Sequence, residues 1–266
     1  MKIYIVTHKK VKKYGGDNYQ LLQVGAQLAD RKFGKEYILD SDGENISDKN
    51  KSFCELTGLY WIWKNSNEDI VGLEHYRRYL VEPKKKNKPV TEETIRKLLL
   101  SYDLILPRIS KQPNSVRYGW SLVHHVEDIE ILRDVISKLY PDYIPEFDFV
   151  FSSHQLYICN MMICKKNLCD KYCKWLFDIL FEVEKRIDIS KYDDMQKRLF
   201  GFLSERLLNV WIYHNKLKIK ELRMINIESK KKTYITSKIY YVARYIFHID
   251  ILYFQVTHKL RFYRGE

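Results

Sequence analysis

Three short stretches of the chain carry residue types that can do chemistry. His75-Tyr76-Arg77-Arg78 sets two guanidinium forks beside an imidazole and a phenol, a set able to hold an anion and stabilise charge that grows on it. Gly201-Phe202-Leu203-Ser204-Glu205-Arg206 offers in Glu205 a carboxylate that can take a proton from a hydroxyl within hydrogen-bond reach. The competing reading of Glu205 is an ion pair with Arg206 or Arg198. Asp40-Ser41-Asp42 has the spacing of a divalent-metal site, yet it opens a turn-rich run in which Asp is common because its side chain bonds local backbone. The five cysteines, Cys54, Cys159, Cys164, Cys169 and Cys173, are odd in number and hold no C-x-x-C pair, so they point to neither a zinc site nor a disulfide framework. No Gly-rich phosphate loop of Walker or Rossmann type is present.

The hydrophobic pattern predicts the elements that must position these groups. Met1 to Thr7 reads as a buried strand, too short in apolar length for a signal peptide or a membrane span. A helix is expected over Gln20 to Ala29 and a short strand over Tyr37 to Leu39. A second helix, over 50–64 with Ser47 as its cap, carries Phe53, Leu56, Tyr60 and Trp63 at near-helical intervals. Asp69 to Leu73 is an apolar run of strand length that leads straight into His75. Beyond it the pattern predicts a helix opened by Thr91-Glu92-Glu93 and a strand over Asp103 to Leu106. A helix over Leu122 to Leu139, a strand over Tyr157 to Ile163, helices over Leu168 to Ile187 and Met195 to Tyr213, and a last strand over Lys216 to Leu222 complete the series. Such alternation argues for an α/β domain with a mostly parallel sheet, whose ligands bind beyond the carboxyl ends of the strands.

The chain has 266 residues, 45% hydrophobic and 30% charged, too apolar for disorder and long enough to bury one large core or two modest ones. Half of its net charge of +12 lies in residues 230–266, where eight Lys and Arg alternate with aromatic residues and with Ile and Val near helical spacing. A basic, amphipathic helix of this kind can lie in an anionic membrane interface, or it can pack on the main domain with its lysines solvated. A boundary is drawn after Ile225, giving a domain over 1–225 and a tail over 226–266. Nucleic acid is not favoured as a partner, because the basic residues form no recognisable reading motif. The short apolar runs and unpaired cysteines read as a cytoplasmic protein, peripheral on the inner face of the plasma membrane if the tail docks there.

Several ordered motifs recur together: Lys2-Ile3-Tyr4-Ile5-Val6-Thr7-His8, Gln23-Val24-Gly25, Asn45-Ile46-Ser47 with Asn50, Glu55 to Asn65, His75 to Arg78, Asn160-Met161, and Gly201 to Arg206. In these residues, over about 1–225, the chain resembles a family of bacterial glycosyltransferases found in capsular and exopolysaccharide gene clusters and long known as a domain of unknown function. The resemblance implies a GT-A-like, Rossmann-like α/β fold that moves a sugar from a UDP-sugar to a lipid-linked glycan acceptor. Some relatives are associated with galactofuranose transfer, and the fold alone does not choose the sugar.

On that resemblance, Thr7, His8, Asp40, Asn45, Glu55, Thr57, Asn65, Tyr76 and Arg78 are expected on the donor side, and His124, His125, Asn160 and Arg206 on the acceptor side. His75 and Arg77 are expected to stabilise the leaving diphosphate, and Glu205 to act as base in an inverting transfer; Asp128 and Asp148 are weaker alternatives. The usual Asp-x-Asp metal site of GT-A enzymes is replaced here by Glu74-His75-Tyr76. That departure leaves Mg2+ or Mn2+ dependence open, with Asp40 and Asp42 as the other acidic pair. The rival from another class is a non-catalytic sugar- or nucleotide-binding module of a polysaccharide assembly complex.

Overall fold

The computed structural model describes residues 1–83 and 87–228. The chain divides into two units, Met1–Ile225 and Asn226–Glu266; the predicted tail helix and its membrane contact lie outside the described residues.

In the first unit, β1 (Lys2–Thr7), β2 (Tyr19–Gln23) and β3 (Tyr37–Leu39) are parallel neighbours, and β1 is flanked on its other side by β4 (Ile70–His75), also parallel. β5 (Arg78–Leu80) turns back on the end of β4 through a single pair, His75 with Arg78. β6 (Leu104–Pro107) follows, and then a small separate ribbon of β7 (Ser110–Lys111) and β8 (Gln155–Leu156). β9 (Met162–Lys165) sits antiparallel between β4 and β6, and β10 (Ile219–Leu222) extends the sheet parallel to β6, giving the order β10-β6-β9-β4-β1-β2-β3. A last strand, β11 (Met224–Asn226), pairs with β5.

The helices are α1 (Asn50–Phe53), α2 (Leu56–Asn65), α3 (Glu92–Leu98), α4 (Val116–Ser121), α5 (Val126–Leu139), α6 (Ile144–Ser152), α7 (Lys166–Glu184) and α8 (Leu199–His214). Successive strand side chains point to opposite faces, so each strand feeds two cores. Tyr4, Val6, Val71, Leu73, Leu104, Leu106, Met162 and Cys164 pack with α2, α5, α7 and α8. Ile3, Ile5, Ile70, Ile105 and Ile163 pack on the other side with Tyr19, Tyr79 and Ile95 of α3. This mostly parallel sheet with helices on both faces is the GT-A-like arrangement expected from the sequence.

Four expected elements differ from the observed ones. The predicted helix over 20–29 is β2 followed by a loop: Leu21 and Leu22 bury into opposite cores, a strand's geometry, and Gly25 then turns left-handed at φ +65°. The helix over 50–64 is broken at Cys54, which is left-handed at φ +52°, and Ser47 serves the Asp40 carboxylate instead of capping it. The helix over 122–139 starts only at Val126, after a separate α4. The strand over 157–163 begins at Met162, because Cys159 and Asn160 both turn left-handed, at φ +77° and +49°.

Candidate active site

β1 and β4 run side by side and end together, Val6 paired with His75, so the residues that follow them share one edge of the sheet. Thr7 is buried and closes the turn after β1, its Oγ1 donating to Lys9 O at 2.6 Å. His8 is exposed and meets the Tyr76 ring edge-on, with centroids 5.5 Å apart. The ammonium of Lys9 lies 4.6 Å from the same ring and the Arg77 guanidinium 5.7 Å, a cationic rim around one tyrosine. Neither the Arg77 nor the Arg78 side chain makes a hydrogen bond or an ion pair with any described residue.

His75 is fixed by its Nε2, 2.7 Å from Cys159 O. A carbonyl can only accept, so Nε2 carries the proton and Nδ1 is left as an acceptor. Burial, opposed by the Cys159 bond and reinforced by Arg78, pulls the imidazole down to about 4, so the ring is neutral at neutral pH. With Nε2 donating to Cys159 O, His75 has no second N–H to offer an anion in this neutral state.

The left-handed Cys159-Asn160 turn is the hub of the site. Cys159 N donates to Glu205 Oε1 at 2.8 Å, and Glu205 Oε2 accepts from Arg206 Nη1 at 3.0 Å. The ion pair with Arg206 is therefore present, the alternative pairing with Arg198 is not, and burial still raises the Glu205 carboxyl above its ordinary range. Asn160 is 4% exposed; its Nδ2 lies 2.8 Å from Glu55 Oε1, 2.8 Å from Ser204 Oγ and 3.2 Å from Gly201 O, while its buried Oδ1 meets no partner. Glu55 opens α2 directly after the Cys54 turn. A Cβ on Gly201 would come within 3.3 Å of Cys54 Cβ and Sγ, so glycine there is what lets α8 approach and bring Glu205 beside Glu55.

Arg198, not expected as a site residue, donates through Nε to Cys54 Sγ at 3.3 Å and acts electrostatically on Glu55 and Glu205. It precedes Gly201 by three residues and Glu205 by seven, the spacing of one helix face, which is the signal that could have found it. Of the residues expected on the acceptor side, Arg206 lies over Trp120 at 5.1 Å, and His124 packs between Trp120 and Phe202 with Nδ1 2.8 Å from Gln196 Oε1. His125 contributes its carbonyl to Trp120 Nε1 and stacks on Tyr192, one layer further out.

The other expected donor residues belong to a separate cluster. Asp40 is fully buried, and each oxygen accepts two bonds: Oδ2 from Gly25 N and Thr57 Oγ1, Oδ1 from Ala26 N and Ser47 Oγ. With those positions filled and Asp42 exposed, the pair does not fit a metal ion, and Asp40 has no edge to offer a ribose. Asn45 folds back on Ser41 O and Gly43 O, and Asn65 holds both the N–H and the carbonyl of Glu44. Asp128 accepts from Tyr192, and Asp148 forms a two-point pair with Arg133. Among the described residues no group of three or more His, Cys, Asp or Glu is arranged to hold a metal, and no helix is long and apolar enough to cross a membrane.

Residues 2–216 match a family described as a domain of unknown function, DUF4422. The apo structure of WbbM, a bifunctional glycosyltransferase, is similar over 86% of this chain at 29% identity and a TM-score of 0.78, and the chain spans 45% of that protein. No curated protein matches.

Proposed function

The chain belongs to the DUF4422 family, and from that premise we propose that it is a glycosyltransferase moving a hexose, galactofuranose among the candidates, from a UDP-sugar to a lipid-linked glycan acceptor in capsule or exopolysaccharide synthesis. The observation that carries the reading is the edge beyond β4. There two guanidinium groups with no side-chain hydrogen bond or ion pair among the described residues, a cationic rim and two carboxylates converge, in a chain similar over most of its length to a glycosyltransferase.

Each part has a task in an inverting transfer. Arg77 and Arg78 take the diphosphate as charge grows on it, and Tyr76 with His8 forms an aromatic wall at the end of β1. One carboxylate removes the proton of the acceptor hydroxyl. Trp120, Arg206 and His124 line the acceptor approach, and residues 230–266 bring the domain to the anionic inner face of the membrane where a lipid-linked acceptor lies.

The test is nucleotide release from a panel of UDP- and other nucleotide sugars, with and without EDTA, read as slow donor hydrolysis where no acceptor is supplied. Release from one UDP-sugar is expected. Loss of that release with EDTA would demand a metal, which Asp40 and Asp42 do not provide. No release from any donor, with no thermal stabilisation by any nucleotide, would turn the reading to the binding module. Replacing the tail's Lys and Arg by Gln should weaken binding to anionic liposomes; unchanged binding would remove the membrane part.

A further inference from the structure

The two carboxylates of the site differ in how much freedom the structure leaves them. Both oxygens of Glu205 are engaged, one by Cys159 N and one by Arg206. Glu55 commits only Oε1, to Asn160, and otherwise meets its own backbone amide. Its Oε2 bonds to no other described residue. On the glycosyl-transfer reading, we propose that Glu55 and not Glu205 is the catalytic base, and that Glu205 is a positioning residue.

The surroundings of Glu55 fit that task. It is held from one side by the left-handed Cys54 turn on which Gly201 packs, and from the other by Asn160 Nδ2. A base whose direction is fixed before substrate arrives loses little in ordering itself. Burial pushes its carboxyl up, opposed by the Asn160 bond and by Arg198 and Arg78, while Glu205, Cys54 and Cys159 are other ionisable groups around it. A carboxylate so placed can keep a proton once it has received it.

In the transfer step the acceptor oxygen bonds to the anomeric carbon while the bond from that carbon to the diphosphate oxygen breaks. The bonding pair leaves with the diphosphate beside Arg77 and Arg78, and the hydroxyl proton passes to Glu55 Oε2. Glu205 acts through the turn: by holding Cys159 N it holds the carbonyl that fixes His75 and the side chain that aims Glu55.

The test compares Glu55→Gln and Glu205→Gln in the full chain on the donor the wild-type protein turns over, with melting temperature and the shift caused by UDP measured alongside. Glu55→Gln should lower kcat by about 1,000-fold, within the range for removal of a general base. It should keep the UDP shift and lose the fall in kcat/KM on the acid side, because only an ionised Glu55 accepts a proton. Glu205→Gln should keep that acid limb with a loss of no more than about 100-fold, the size of a mispositioning effect. Glu55→Asp should restore part of the rate and the limb, which a merely unfolded site would not. The assignment is overturned if Glu55→Gln retains a tenth of kcat with its acid limb intact, or if Glu205→Gln abolishes that limb. A wild-type protein inactive on every donor overturns the transfer reading itself, and the assignment with it.

Discussion

Two polar clusters lie behind the carboxyl ends of the same sheet, and they are built on opposite plans. Around Asp40 each carboxylate oxygen accepts two bonds and the donors come from three separate segments, Gly25-Ala26, Ser47 and Thr57. Around Glu55 the bonding is incomplete: one carboxylate oxygen lacks an outside partner, Asn160 Oδ1 is buried and unpaired, and the Arg77 and Arg78 guanidinium groups make no hydrogen bond or ion pair with a described residue. Buried polar groups are costly unless paired, so a filled cluster is worth keeping for the fold alone, while an unfilled one needs another reason to persist. The Asp40 cluster has the bonding of a scaffold, and the Glu55 cluster is the one we propose as the ligand site.

The strongest way to break that distinction is Asp40→Ala. It strands two backbone amides and two hydroxyls in the core, and with each unsatisfied buried group costing about 1–3 kcal/mol the loss is on the order of 3–5 kcal/mol. In a domain of this size that is a fall in melting temperature of roughly 10 °C. Nucleotide binding by whatever stays folded should be unchanged. A variant that melts normally but no longer binds nucleotide would move Asp40 into the site.

Arg78→Ala and Arg77→Ala should do the reverse. Neither side chain makes a hydrogen bond or an ion pair with the described protein, so melting should move by less than about 2 °C, near the ±0.5 kcal/mol expected of surface substitutions. Loss of a charge-assisted bond to the diphosphate should weaken UDP binding about 10- to 100-fold, read by calorimetry. Loss of stability without loss of affinity would return the arginines to the scaffold.

How much of this was legible in the sequence depended on whether a local pattern or a distant contact decided the structure. β1, β4, β6 and α7 follow from apolar runs of the right length, and His75 to Arg78 declares itself because four reactive side chains stand together at a strand's end. β2 did not: a run buried on both faces has no alternation to set it apart from a short helix. The break at Cys54 carries no Gly or Pro signal, because it answers to Gly201 in a helix nearly 150 residues away. Glu55, Thr57 and Asn65 stand out because an amphipathic helix needs none of them for burial, whereas Asp40 sits in a turn-rich run where Asp is common for backbone reasons. Whether that surplus served a ligand or the scaffold was set by partners that the sequence does not bring together.

Neighbours in β4 sharpen the comparison through pH. His75 has its imidazole pulled below the ordinary value of about 6.5 to about 4, so the folded protein binds fewer protons than the unfolded chain across that window. Stability should rise with pH from about 4 to about 6.5 and level off above. Glu74, on the opposite face, is fully buried with Oε1 bonded to Leu80 N and Oε2 unpaired, and burial holds its carboxyl well above the usual range. Here the folded state keeps a proton the unfolded chain gives up, so its contribution is full below the unfolded value and lost as pH rises toward the folded one. Denaturant melts across pH should show His75→Gln removing the first slope and Glu74→Gln the second. Matching slopes in both variants and wild type would mean that neither environment is what the structure makes it.

The smallest expected effect is a control on the whole contrast. Thr91 caps α3, its Oγ1 accepting from Thr94 N and donating to Glu82 Oε1, on the side of the sheet away from Glu55 and Glu205. Thr91→Ala should cost about 1 kcal/mol, the usual worth of such a cap, or a few degrees in melting temperature, with nucleotide affinity and any donor turnover untouched. If so modest a loss of stability also lowered affinity, the Glu55 cluster would be tuned by the rigidity of the whole sheet, and the losses in the arginine variants could no longer be assigned to contacts with the diphosphate. If affinity holds, stability and binding are separable in this fold, and the incomplete bonding around Glu55 can be read as a property of the site itself.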